Sequence, residues 1–224
     1  MKFRIRNLLK EKDIVPNIID TLPPKVLNTQ SEQEFYEYLI ENDYSILCYH
    51  ITRLTKQEIQ HIKKDGLSFG SKTLLRNKIR NLPSCCDWFK EELLNYIDNL
   101  TSIQAEHLLC ASYGKLDLIK DIAEDNIFHS NWGGETIYRY YDQGDGFQDK
   151  RFKRIHDTLQ NISIPCIIIV RVNADSFERS NTRLYDLLKC KKQENICGSV
   201  YIEDTLPEVV DIIDLNTYSG IDFT

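Results

Sequence analysis

The run Ile164–Val172 (IPCIIIVRV) is apolar at odd and even positions alike. Strand side chains alternate between two faces, so a strand with this composition has to be covered on both sides. It is the strongest strand signal in the chain and calls for a layered fold in which helices or other segments close over both faces of a sheet.

The segments around it supply both kinds of element. Tyr44–Ile51 is rich in aromatic and apolar residues and reads as a strand, as do His107–Ser112 and Gly198–Glu203, with a further apolar closing segment after Pro207. Two capping boxes mark helix starts. Ser31-Glu32-Gln33-Glu34 precedes Phe35, Tyr38 and Leu39, and Thr55-Lys56-Gln57-Glu58 precedes Ile59 and Ile62, with Gly66 as the stop. Ser84–Leu100 reads as an amphipathic helix, Leu116–Ala123 as a short one, and Asn131–Glu135 as a loop entering a helix through Tyr141. Helices crowd the first two thirds and the clearest strands come late, which is an α+β pattern rather than a regular βαβ alternation. No linker marks a boundary within the 224 residues, so the chain reads as one domain, with residues 1–43 as a helical N-terminal extension.

Composition narrows the classes. The formal charge of −6 argues against broad nonspecific nucleic-acid binding, and Lys72–Arg80 and Lys150–Arg154 read as basic, solvated patches. The apolar runs are too short to cross a bilayer, and no apolar signal region follows the basic opening, so no membrane partner is expected. Seven irregularly spaced cysteines fit free thiols in a reducing cytoplasm. No Cys/His ligand spacing, GxxxxGK[ST] loop or GxSxG elbow occurs, so neither a metal site nor a P-loop or serine-hydrolase site is expected.

The residues suited to chemistry lie in three places. His50 and Thr52 share a strand face, where both can hydrogen-bond a ribose hydroxyl or an amide, and Arg53 points oppositely or leaves toward the loop, where it can meet a phosphate. In Trp132-Gly133-Gly134-Glu135 the glycines allow positive φ or close backbone approach beside a large ring. Two accounts of this stretch stay open. In one, Trp132 is core and Glu135 complements the helix dipole. In the other, Trp132 stacks on a flat ring while Glu135 or a tyrosine such as Tyr138 fixes a ribose. The third place is the late strand, where Gly198–Glu203 runs into Leu206-Pro207.

The stretch Tyr49-His50-Ile51-Thr52, followed by a helix and then Asp65-Gly66-Leu67, resembles the first strand and helix of the ADP-ribosyltransferase-like superfamily, including its nucleic-acid-modifying toxin and RNA 2′-phosphotransferase branches. The detailed resemblance covers Cys48–Leu67. It implies a split β-sheet core with helices inserted in the first two thirds, and NAD as the bound molecule. It implies that His50 holds the nicotinamide ribose with Thr52 and Arg53 assisting, and that Trp132 or Tyr138 stacks on the nicotinamide. It also implies a catalytic carboxylate, with Glu203 and Glu135 as candidates. Aligning on Leu206-Pro207 puts Ser199 where the family carries its acid, with Glu194 and Glu203 as neighbours. A carboxylate is wanted because breaking the nicotinamide–ribose bond builds positive charge on the sugar. The resemblance leaves the acceptor open between protein and nucleic acid and suggests a bacterial toxin or defence role. The alternative is a non-catalytic nucleotide-binding or protein-interaction module on the same fold.

Overall fold

The computed structural model describes residues 3–16, 21–103, 108–114, 132–141, 149–179, 184–189, 197–218 and 221–222. Its strands are β1 (Phe3–Arg4), β2 (Asp13–Ile14), β3 (Ser45–Thr55), β4 (Leu109–Gly114), β5 (Ser163–Asn173), β6 (Cys197–Ile202), β7 (Glu208–Asp214) and β8 (Ile221–Asp222). Its α-helices are α1 (Pro24–Leu27), α2 (Glu32–Glu41), α3 (Lys56–Asp65), α4 (Lys72–Arg80), α5 (Asp87–Asn99), α6 (Gly134–Tyr141), α7 (Lys150–Ile162), α8 (Ala174–Arg179) and α9 (Leu184–Lys189). The candidate helix 116–123, His107, His129, the Gly144–Gly146 loop and Glu194 lie outside the described residues.

The main sheet has the order β6-β4-β3-β5-β7, all antiparallel, with β2 added in parallel to the start of β3. The mixed α+β class is therefore as read. The apolar run does what its composition requires. Cys166, Ile168, Val170 and Val172 enter one core and Ile167 and Ile169 another, all of them at 0–1% exposure. Its partner β3 obeys the same parity, with Ile46, Cys48 and Leu54 on the first face and Leu47, Tyr49 and Ile51 on the second. Register runs unbroken from Ser45 opposite Asn173 to Thr55 opposite Ser163.

The first face is covered by α2 through Phe35 and Leu39, by Phe177 of α8, by Leu184 and Leu188 of α9, and by Ile59 and Ile62 of α3. Val15, Leu9, Val210 and Tyr218 close over the second. A separate helical core joins α4, α5, α6 and α7 around Ile79, Phe89, Leu93, Trp132, Ile137 and Ile155. The two basic stretches read as solvated patches are thus amphipathic helices, α4 and α7. Leu75 and Ile79 of one, and Ile155 and Leu159 of the other, face inward behind the charges.

The N-terminal 43 residues are more than a helical extension, because β2 lies in the sheet. Buried Arg171 on β5 fastens it there. Its Nε donates to both oxygens of Asp13 at 3.0 and 2.8 Å, one terminal nitrogen to Glu208 at 2.9 Å, and the other to the Leu8 carbonyl at 2.6 Å. A guanidinium removed from water is tolerable only when its donors are matched in this way, and removing one partner strands the other. Asp13→Ala is therefore expected to lower unfolding stability by about 3 kcal/mol, read as a shift of the urea midpoint at unchanged m-value.

Candidate functional site

Strand β3 is longer than its sequence suggested. It runs through His50, Thr52 and Arg53 to Thr55, where the capping box starts α3 without a loop. Thr55 accepts from the Glu58 N–H, and Glu58 accepts from the Thr55 N–H at 2.8 Å. Gly66 ends the helix at φ +83°.

Beside this junction lies an open cavity of about 800 Å³, a size suited to a cofactor or substrate. His50 and Thr52 line it from β3, Gly66 and Leu67 from the end of α3, Lys78 from α4, Gly133 and Gly134 from the start of α6, and Tyr201 from β6. The one described register pair between β3 and β4 is Tyr49 opposite Ser112. Just past it the imidazole of His50 enters between the strands, with Nδ1 2.9 Å from the Cys110 carbonyl oxygen. A carbonyl only accepts, so Nδ1 carries a proton, and in the neutral ring Nε2 is the accepting nitrogen.

The sequence-derived site residues separate on the structure. His50 and Thr52 share the cavity. Arg53 lies on the opposite side of β3, where its guanidinium donates to the carbonyls of Gln160 and Ser163 at 2.9 Å and to Ser163 Oγ at 3.2 Å. It closes the C-terminal end of α7 and does not line the cavity, which corrects its assignment to a phosphate. Trp132 is 1% exposed in the helical core, and its indole N–H donates to Glu58 Oε2 at 3.0 Å. It is the core residue of the two accounts and presents no ring face for stacking. Tyr138 is half-buried on α6 and is not part of the cavity wall. Glu203 is exposed beyond the end of β6 and belongs to a neighbouring cavity. Glu135 sits in the first turn of α6, and its side chain lies outside the described residues. Both glycines before it have positive φ, +78° and +61°. At Gly133 any Cβ would also fall 2.3 Å from Ile137, so glycine is required there.

The carboxylate on the described cavity wall is Glu58, which sequence reasoning treated only as a capping residue. Burial pushes its carboxyl up. Lys78, at 2.7 Å, and the N–H groups of Thr55 and Trp132 outweigh that and hold it below the usual carboxylate range. The local signal for Glu58 was the capping box; nothing local announces a bond to an indole 74 positions away. Burial holds the Cys48 and Cys110 thiols above the ordinary range and pushes Cys166 up to about 12, which disfavours their thiolate forms at neutral pH. Among the described residues, no group of three or more His, Cys, Asp or Glu is placed to hold a metal ion, and no helix is long and apolar enough to cross a membrane. Comparison with protein-family models, with curated proteins and with solved structures finds no match.

Because Glu58 ionises more readily folded than unfolded, its contribution is complete above the unfolded value of about 4.3 and fades as pH falls through the lower folded value. The stability gap between wild type and Glu58→Gln is therefore expected to be widest above about pH 5 and to narrow on acidification, measured by urea unfolding across pH 3–7.

Proposed function

We propose that the chain is an NAD-using protein of the ADP-ribosyltransferase-like kind, with the His50 cavity as its nucleotide site. One observation carries this reading. An imidazole with a fixed proton position lines an open cavity, with Thr52 on the same strand face and Gly66–Leu67 in the same wall. In this reading His50 and Thr52 hold the nicotinamide ribose. Tyr201 is the aromatic residue of the described wall that can face a flat heterocycle, replacing Trp132 and Tyr138 in that role. Lys78 supplies the cationic wall. NAD brings a glycosidic bond whose cleavage releases nicotinamide and leaves an electrophilic sugar carbon. A reducing cytoplasmic setting and a toxin or defence role belong to the same proposal.

A second reading, a binding module without catalysis, draws support from the carboxylates. Glu58 is locked by three partners, Glu203 opens elsewhere, and exposed Ser199 stands at the position the resemblance assigns to the acid. The two readings part on one assay. Titration calorimetry with NAD is expected to show binding that His50→Ala weakens by at least about ten-fold, or about 1.4 kcal/mol. Nicotinamide release in the same samples is expected from wild type and absent from His50→Ala. Binding without release would favour the module; no binding of NAD at millimolar concentration overturns the assignment of the His50 cavity to NAD in either reading.

A further inference from the structure

The adjacent thiols Cys85 and Cys86 lie in the short 3-10 turn Ser84–Cys86, which leads directly into α5. Their sulfurs are 3.9 Å apart. The two differ in access. Cys85 is exposed, whereas Cys86 is at 0% exposure and belongs to the helical core with Leu75, Leu82, Phe89 and Ile103. Burial first, and then its contact with Cys85, hold the Cys86 thiol above the ordinary range. A reagent in solution therefore meets Cys85, and the Cys86 sulfur is within reach of Cys85 alone. Leu75, Leu82 and Ile103 of the same core also line the His50 cavity. The Cys86 N–H donates to the Pro83 carbonyl at 2.9 Å, which ties the pair to the turn that follows Leu82.

We propose that Cys85 and Cys86 form a redox-active dithiol, which a hydroperoxide oxidises to a disulfide between chain neighbours, and that closing this bond shifts the α4 side of the His50 cavity. The proposal stands whether or not that cavity takes NAD. With hydrogen peroxide, the Cys85 sulfur attacks one oxygen and the O–O bond breaks. The departing hydroxide takes up the thiol proton as water, leaving Cys85 as a sulfenic acid. The Cys86 sulfur then attacks the Cys85 sulfur. An S–S bond forms, the S–O bond breaks, and the hydroxide leaves with the Cys86 proton as a second water. Two electrons pass from the two sulfurs to the peroxide. Contact between the sulfurs makes the second step intramolecular, which favours it. The bond is of a reversible kind. Consecutive Cα atoms lie about 3.8 Å apart, below the roughly 4.4 Å floor of ordinary disulfides, so the link is strained and readily reduced. Its formation brings the sulfurs from 3.9 Å to about 2.05 Å, so the close-packed side chains around Cys86, Leu75 and Leu82 among them, have to readjust.

The test treats the full chain with hydrogen peroxide, blocks remaining thiols with N-ethylmaleimide and maps tryptic peptides without reductant. The peptide Asn81–Lys90 contains these two cysteines and no other. It is expected to lack two hydrogens and to carry no maleimide, and dithiothreitol is expected to restore both alkylation sites. Cys85→Ser is expected to leave Cys86 unoxidised, and Cys86→Ala to accumulate a Cys85 sulfenic acid that dimedone captures. Because Cys85 is exposed, circular dichroism suffices to show that Cys85→Ser folds. Hydrogen exchange across residues 74–82 is expected to quicken in the oxidised wild type and to return on reduction. The proposal is overturned if both thiols stay alkylatable after millimolar peroxide, or if Cys85 passes to sulfinic acid with Cys86 still reduced. It is equally overturned if Cys86 oxidises as readily in Cys85→Ser as in wild type, or if the disulfide leaves exchange across residues 74–82 unchanged.

Discussion

The pairing of β3 with β5 is the constraint from which the rest of the structure follows. Both strands are apolar on both faces, so a slip of one residue would exchange the contents of two different cores and carry Arg171 away from Asp13. The register that avoids this puts His50 and Thr52 on the face occupied by α3 and turns Arg53 to the other side. The site is thus a by-product of core parity. A strand long enough to satisfy β5 along its whole length has to continue through the polar residues at 50, 52 and 53. His50 finds the Cys110 carbonyl and Arg53 the end of α7, while Thr52 faces the cavity.

The second constraint is electrostatic. The molecule removes several charges from water and matches each. Glu58 meets Lys78 and two N–H groups of different origin, while Arg171 gathers three acceptors from three segments. Such arrangements fix geometry more than they add stability, since the desolvation of each ion offsets much of its attraction. Their effect here is to lock the α3–α4 wall of the cavity and the N-terminal edge of the sheet.

Much of the fold was legible because its signals are local. The doubly apolar run, the two capping boxes and the Gly66 stop each correspond to an element within a few residues of its expected limits. Helices α4 and α7 were obscured because their charged residues dominate the sequence, while the apolar residues spaced three and four apart are few. The candidate site was legible only in part. His50 and Thr52 follow from strand alternation, but the fates of Arg53 and Trp132 depend on partners about 110 and 74 residues away, Ser163 and Glu58, which no local pattern encodes. Glu203 was a sound chemical candidate, but it lines the neighbouring cavity and not the one that holds His50.

Sequence separation between the cavity's walls carries a temporal consequence. His50 pairs through β3 with a strand that leaves the ribosome more than a hundred residues later, and Tyr201 arrives later still. Closing such distant contacts is slow and has to await the segments that carry β5 and β6. A nascent or truncated polypeptide lacking β6 would have the histidine but no finished pocket around it, so any chemistry performed there would begin only after β6 has been made.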